Sequence, residues 1–324
     1  MTVTTPACLG KVPTHGDFVR HRASTPTMRA LSQWVRKGLH HARTHRTPDW
    51  EEHYDRASAK RFVIGGGRSR GPNAVLGVMA PSRDRRGRVY PFMVTCEVPK
   101  HTLDPRTFAY LPVQAEAFFG AADALVRRAT NGAIPHDEVA ERVEQMEGEF
   151  SVCPRVPDGH EQYLKTESLA PFLDVIFGHF GDSKKYHLFS TLLDTLLPLQ
   201  DRTRPQLDDG LVFPLPPDPA VETHAVSFWM GVVLRMLGYP SVLPSLFWDS
   251  RSDEEDAGTL LLYVGAAGRR GFYESLVAER GTGVRVLEQS GEKSSVEAAL
   301  SIPKAYGRLL EDEEICLWEF LEQL

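Results

Sequence analysis

The sequence has few cysteines and no long apolar run. It contains only four cysteines: Cys8, Cys96, Cys153 and Cys316. No two of them form a Cys-x-x-Cys pair and no histidine follows at finger spacing, which argues against a zinc ribbon and predicts reduced thiols. The longest apolar runs, 228–234 and 260–264, are far shorter than a bilayer span. The N-terminus lacks a basic-then-apolar signal pattern, so we expect a cytoplasmic protein without direct membrane insertion.

Composition and length indicate an ordinary globular protein, with charge of opposite sign in its two parts. The chain has 324 residues, of which 42% are hydrophobic and 25% charged; this is long enough for two domains. Residues 1–100 hold 18 Lys and Arg against 7 Asp and Glu, whereas the remainder holds 19 against 36. Opposed charge of this kind predicts either distinct partners or mutual docking of the two parts, and the sequence leaves both open.

Hydrophobic periodicity predicts alternating helices and strands. Helices are predicted over 27–44, 112–130, 137–147, 164–180, 183–197, 221–237 and 271–278. Strands are predicted over 7–12, 60–64, 74–80, 89–98, 242–248, 259–264 and 284–287. Residues 201–219 are expected to form a connector, and an element of open type is expected over 315–321. This order predicts an α/β protein, in the α+β sense, with a mainly antiparallel sheet flanked by helices and a second, smaller α/β domain.

A domain boundary is predicted where helical periodicity stops. The segment 148–160 carries Gly148, Pro154, Pro157 and Gly159, and glycine and proline interrupt regular structure. We therefore expect an N-terminal domain over 1–148 and a C-terminal α/β domain over 161–324.

A glycine-rich loop follows the strand at 60–64 but matches no nucleotide motif. Pro72 and Asn73 stand where a P-loop needs Lys and a hydroxyl residue. The same loop contains one Gly-x-Ser-x-Gly match, at 67–71, but no helix is predicted after Ser69, so a nucleophile elbow is not expected. We interpret the segment as a plain glycine loop.

Histidines and arginines offer two further candidates. His41 and His45 are four residues apart, but Ala42 stands where a zinc protease has glutamate, so no metal site is predicted. The arginines of 83–88 alternate with no aromatic residue, so we expect no nucleic-acid partner. They suit either a solvated hairpin tip or contact with an acidic or phosphorylated protein.

Two segments dense in Gly, Pro and Asp carry the most information, because these residues fix sharp turns. The first motif runs over 10–19 and the second over 79–92. Their fixed positions are Gly10, Lys11, Pro13, Gly16, Asp17 and Phe18 in the first motif and Pro81, Ser82, Asp84, Gly87, Arg88 and Pro91 in the second. With Trp34 and the strand that enters Gly71-Pro72, this pattern resembles the TagF/ImpM family of type VI secretion-associated proteins, over about residues 7–145.

The resemblance implies a cytoplasmic, non-enzymatic regulator. Family members resemble post-translational repressors that act on the forkhead-associated scaffold protein or another secretion component, without established catalytic residues and without a cofactor. The segment around Pro244 to Trp248 is similar to the C-terminal region of longer members. Some members are fused to a metal-dependent phosphatase. Residues Asp158-Gly159-His160 resemble the Asp-Gly-His-Gly metal loop of that enzyme, but Glu161 stands where the loop has its final glycine. We do not expect that activity here.

Two alternative functions fit the same residues. In the first, Lys11, Asp17, Ser82 and Arg88 gather at one cleft of an enzyme that acts on a phosphorylated protein or nucleotide, because polar residues on turns of a rigid scaffold often form sites. In the second, the chain is a structural accessory of the secretion baseplate. Otherwise Asp17 caps a turn or pairs with an arginine, and Ser82 bonds local backbone.

Overall fold

The computed structural model describes residues 2–3, 5–45, 49–65, 71–147, 150–200, 202, 204–249, 258–277, 284–286 and 294–324. The strands are β1 (Thr2–Val3), β2 (Pro6–Lys11), β3 (Phe18–His21), β4 (Lys60–Ile64), β5 (Asn73–Ala80), β6 (Phe92–Pro99), β7 (Ser151–Val152), β8 (Gly210–Pro214), β9 (Ser245–Asp249), β10 (Thr259–Tyr263) and β11 (Val284–Val286). The helices are α1 (Pro26–His45), α2 (Trp50–Arg56), α3 (Pro105–Ala109), α4 (Leu111–Gln114), α5 (Glu116–Thr130), α6 (Glu138–Glu144), α7 (Asp158–Thr166), α8 (Leu169–Phe177), α9 (Lys184–Leu196), α10 (Pro219–Met236), α11 (Arg269–Val277), α12 (Ser295–Ser301), α13 (Lys304–Glu311) and α14 (Leu317–Gln323).

One large sheet organises the molecule. Its strand order is β11-β8-β10-β9-β4-β5-β6-β2-β3, and a separate small pair joins β1 to β7. Every neighbouring pair in the large sheet is antiparallel except β11 and β8, which are parallel. The predicted mixed α/β class with a mainly antiparallel, helix-flanked sheet is confirmed.

Helices cover both faces of the sheet, so its central strands are apolar on both sides. Along β5, Val75 and Met79 point into a core shared with α1, α2 and α11, whereas Leu76 and Val78 point into a larger core shared with α5 and α10. The alternation follows from the two-residue period of a strand.

The sequence of α1 explains why this segment forms a helix and which face of it is buried. Met28, Leu31, Val35 and Leu39 recur at steps of three and four and are all buried. Pro26 occupies the first helical position, where a missing N–H costs nothing. The Thr25 hydroxyl accepts a hydrogen bond from the Met28 N–H at 3.1 Å, which caps the helix start.

The sheet does not stop at the predicted domain boundary. Strand β9 pairs with β4 along 60–64 and 245–249, so strands from both sides of 148–160 share one ladder. The division into domains over 1–148 and 161–324 stays a prediction.

The prediction of one helix over 164–180 was wrong. The structure has α7 and α8, separated at Glu167 and Ser168. Ser168 forms an antiparallel bridge with Cys316, and the Leu317 N–H donates to the Glu167 carbonyl at 2.9 Å. This backbone pairing uses a segment about 150 residues away, which local periodicity does not reveal.

Other elements were missed or shifted. The connector over 201–219 contains β8, the predicted helix over 112–130 is divided into α4 and α5, and the strand predicted from Val89 begins at Phe92. The element of open type near the C-terminus is α14. The structure adds β3, α2, α3, α12 and α13, which no periodicity had indicated.

Candidate functional site

The two motifs lie side by side at one edge of the sheet. The first motif joins β2 to β3, and the second joins β5 to β6. Because β2 and β6 pair antiparallel, with Leu9 opposite Met93, the end of β2 faces the start of β6. The two turns therefore leave the sheet next to each other.

A buried carboxylate, Asp84, joins the motifs. The ammonium of Lys11 donates to Asp84 Oδ2 at 2.8 Å, and Nε of Arg88 donates to the same oxygen at 2.7 Å. The Asp84 side chain is fully buried and that of Lys11 nearly so. Burial alone would raise the pKa of the Asp84 carboxyl, but the hydrogen bonds from Lys11 and Arg88 outweigh it and hold the pKa well below its usual range.

The same carboxylate shapes its own loop. Asp84 Oδ1 accepts the backbone N–H of Arg86 at 2.9 Å and that of Arg88 at 3.0 Å. The Gly87 N–H donates to the Asp84 carbonyl at 2.8 Å, and Gly87 has a φ of +77°. A glycine adopts that angle without a steric penalty, which explains the residue at this position.

Helix α2 anchors the other side of the second motif. The hydroxyl of Tyr54 accepts the Ser82 N–H at 3.1 Å, and burial raises the pKa of Tyr54 well above its ordinary value. Arg83 donates from Nε to Asp55 at 3.0 Å and from Nη2 to Glu51 at 2.9 Å. The loop is thus fixed to the sheet by Asp84 and to α2 by Ser82 and Arg83.

Backbone carbonyls of the first motif also bind the second motif. The Arg88 guanidinium donates to the carbonyl of Gly16, and the Arg85 N–H donates to the carbonyl of His15 at 2.9 Å. At the sheet, Gly10 and Pro91 are in close contact: a Cβ on Gly10 would lie 2.2 Å from the Pro91 carbonyl oxygen.

The remaining motif residues have local positions. Asp17 is exposed, and its Oδ1 accepts the Phe18 N–H at 2.8 Å; the interpretation of Asp17 as a residue that caps a turn agrees with this contact. Pro13 is exposed in the turn after β2, and Pro81 is half-buried directly after β5.

The structure brings together only part of the set expected for the enzyme alternative. Lys11 and Arg88 converge on Asp84, whereas Asp17 bonds its neighbour's backbone. Ser82 is held by its backbone N–H, and its buried hydroxyl has no hydrogen-bond partner within the described residues, so the prediction that this hydroxyl bonds local backbone was wrong. The sequence identified Asp84 as a motif position but did not indicate that it is the central carboxylate.

A basic cleft opens beside Phe18. It is a cavity of about 890 Å³ between β3 and the first half of α1, with Leu9 and Met28 among its lining residues. Four exposed arginines line it: Arg20, Arg22, Arg29 and Arg36. Sequence reasoning missed this cleft, because its arginines come from two elements and β3 was not predicted.

Two of these arginines, Arg20 and Arg36, stack on the ring of Phe18. The Phe18 ring packs edge-on against Tyr90, with centroids 4.8 Å apart. The guanidinium carbons of Arg20 and Arg36 lie 4.9 Å and 5.9 Å from the centroid of the Phe18 ring, within cation–π range. The motif phenylalanine thus connects the motif junction to the cleft.

Other candidates lie elsewhere. His41 and His45 stack on each other on α1 at 4.5 Å, and across the described ranges no group of three or more His, Cys, Asp and Glu side chains is arranged to hold a metal ion. Most of the glycine loop, with Ser69, lies outside the described residues. Asp158 and His160 belong to α7, where His160 is buried against His224.

The family model of the TagF N-terminal domain, Type VI secretion system-associated, matches residues 7–146. The chain carries a TagF N-terminal domain. The predicted resemblance is confirmed over this range, which includes both motifs.

One of the solved structures that match the chain is of similar length. PA0076 from Pseudomonas aeruginosa PAO1 is 20% identical to this chain, with 86% of this chain and 96% of that chain covered and a TM-score of 0.46. No curated protein matches the chain. Within the described ranges, no helix combines the length and the apolar character needed to cross a membrane.

The TagF domain contacts the rest of the chain closely. Trp34 Nε1 donates to the carbonyls of Ala267 and Gly268, at 3.0 Å and 2.9 Å. A Cβ on Gly38 of α1 would lie 2.4 Å from the Phe272 side chain of α11. The C-terminal part thus completes one core of the TagF domain.

Proposed function

We propose that this protein is a cytoplasmic, non-enzymatic regulator that represses type VI secretion after translation by binding a secretion component, such as the forkhead-associated scaffold. The observation that supports this best is the use of the motif side chains. The two cations of the motifs, Lys11 and Arg88, both bind Asp84 and hold two turns together. Residues in such positions stabilise a surface that a partner can bind.

The alternative of an enzyme requires a reactive group that a substrate can reach. Asp84 is buried under two cations, and the Ser82 hydroxyl is buried as well. A general base or nucleophile must come within hydrogen-bond distance of the reacting atom. These positions favour a binding role over chemistry at the motifs.

The proposed regulation is tested in cells that carry the secretion system. The gene is deleted, and tube protein released into the medium is measured with and without inducing conditions. Repression predicts increased release after deletion and a return to the original level when the gene is restored. Unchanged release in both conditions contradicts the proposal, and decreased release indicates a structural component of the apparatus.

Binding is tested separately with the purified full chain as bait. Capture of a secretion component from lysate, at a ratio that does not depend on assembled machinery, agrees with a regulator. Turnover of a small phosphorylated compound, lost in Asp17→Ala or Arg88→Ala, would overturn the non-enzymatic assignment.

A further inference from the structure

The cleft between β3 and α1 is basic without any acidic lining. Its four arginines come from β3, the turn after it and α1, and none of its lining residues is Asp or Glu. Chemically, a cleft with this lining attracts anions and repels cations, because its charges are all of one sign. Its volume of about 890 Å³ is large enough to take several side chains.

Two of the arginines are available for a ligand. Arg22 pairs with Glu147, and Arg29 donates to the Ser24 carbonyl. Arg20 and Arg36, in contrast, form no ion pair with a carboxylate within the described part of the chain, and both lie over the Phe18 ring. Stacking on a ring orients a guanidinium and leaves its N–H groups free to bind carboxylate oxygens as a fork.

The arginines of the second motif differ in this respect. Arg83 is already bound to Asp55 and Glu51, and Arg88 to Asp84. The sequence had indicated the tip over 83–88 as a possible contact for an acidic protein, but two of its four arginines are engaged within the fold. Arg85 and Arg86 are left at the exposed tip, whereas Arg20 and Arg36 are stacked on Phe18 and line a cleft, so the cleft is the better site for an acidic partner.

The cleft also borders a sheet edge. Strand β3 is the last strand of the sheet, and no strand in the described ranges pairs with its outer side. Such an edge accepts an extended chain through backbone hydrogen bonds. An extended segment along β3 would bring its side chains close to Arg20.

From this geometry we infer that the cleft binds an extended, acidic segment of the secretion component, with Arg20 and Arg36 bound to its carboxylates. This inference rests on the proposed function for the identity of the partner. The recognised chemistry is a run of Asp or Glu side chains on a protein.

The direct test uses the full chain and a fluorescent oligoglutamate peptide, with binding followed by anisotropy at low salt. The variant Arg20→Gln/Arg36→Gln removes two charges from the cleft. The matched control Arg85→Gln/Arg86→Gln removes two charges from exposed side chains of the tip. We expect binding about tenfold weaker for the cleft variant and nearly unchanged for the control. Circular dichroism checks that both variants are folded.

Several outcomes overturn the inference. Equal loss in both variants means that the peptide responds only to net charge, and no binding by the wild type at low salt means that the cleft does not recognise carboxylates. Duplex DNA and vesicles with anionic lipid serve as competing probes. If either binds at the cleft and the peptide does not, the partner is of another class.

Cellular assays separate this inference from the proposed function. If deletion increases tube-protein release but the cleft variant restores repression fully, the cleft inference is wrong and the regulatory role stands. If deletion has no effect but peptide binding depends on Arg20 and Arg36, the regulatory role is wrong, whereas the recognition of acidic segments by the cleft stands.

Discussion

Gly10 and Pro91 are packed so closely that any side chain at position 10 would collide with the second motif. A Cβ there would lie 2.2 Å from the Pro91 carbonyl oxygen and 2.5 Å from Cα of Phe92. Gly10 also has a φ of +150°, a backbone conformation that residues other than glycine rarely adopt. The first residue of the first motif therefore has to be glycine because of Pro91, the last fixed position of the second motif.

Gly10→Ala is expected to destabilise the protein by about 3 kcal/mol or more, because β2 and β6 must separate. Urea unfolding of the purified variant measures the loss. The control is Gly120→Ala in α5, where a Cβ meets nothing within 4 Å. Alanine at this helical position should raise the free energy of unfolding by about 0.5–1 kcal/mol. An unchanged urea midpoint for Gly10→Ala would show that the contact is unimportant.

The buried pair of Lys11 and Asp84 is expected to behave as one unit. Lys11→Met and Asp84→Asn should each cost about 3 kcal/mol, because the first leaves the buried Asp84 with Arg88 as its one cation and the second leaves the buried Lys11 without its carboxylate. The double variant should cost clearly less than the sum of the two. A double-mutant cycle in urea measures the coupling, and strict additivity would mean that the 2.8 Å contact contributes nothing.

A histidine pair predicts how stability depends on pH. Nδ1 of His160 lies 3.0 Å from Nδ1 of His224, and burial, with a smaller contribution from the charge of His224, lowers the pKa of His160 from 6.5 to about 3. Between these values the unfolded chain binds the proton more strongly. This contribution to stability is therefore complete above pH 6.5 and is lost as the pH falls toward 3.

Thermal unfolding between pH 4 and 7 checks this dependence. The variant His160→Phe should flatten the profile over that range, and exposed His101→Gln should leave it unchanged. Asp84, whose pKa is lowered, loses its contribution only at more acidic pH, so the two groups are separable. A profile for His160→Phe as steep as that of the wild type would contradict the assignment to His160.

The predicted domain boundary has a direct consequence that can be tested. A fragment over 1–148 loses the β9 strand beside β4 and both carbonyl acceptors of Trp34. It also exposes apolar surface that Phe247 and Phe272 cover in the full chain. We expect the fragment to lack cooperative unfolding, as measured by calorimetry and amide exchange. A sharp transition in the fragment would show an independent domain.

Local patterns predicted much of the fold, and long-range pairing accounts for most of what they missed. The apolar steps of three and four in α1 and the continuous apolar run of β5 are visible in the sequence. Strand β3 has only four residues and depends on pairing with β2. The break between α7 and α8 depends on Cys316, so no window around the break contains its cause.

At the candidate site, too, local features were predictable from the sequence and long-range contacts were not. Gly, Pro and Asp in the motifs correctly indicated turns, because their backbone preferences are local. The partners of these residues are distant in sequence: Lys11 is 73 residues from Asp84, and Arg83 is 28 residues from Asp55. The two stacked arginines of the cleft were not recognisable until β3 and α1 were placed side by side.

The motif residues contribute to function by stabilising the backbone conformation of the two turns. The most direct test is tube-protein release from a deletion strain that expresses Asp84→Asn, assayed at a low temperature where circular dichroism shows the variant folded and at a higher one where it is unfolded. If Asp84 acts only through structure, we expect repression at the low temperature and its loss at the higher one, in step with unfolding. Full loss of repression in the folded variant would contradict this expectation, because Asp84 would then contribute more than structure.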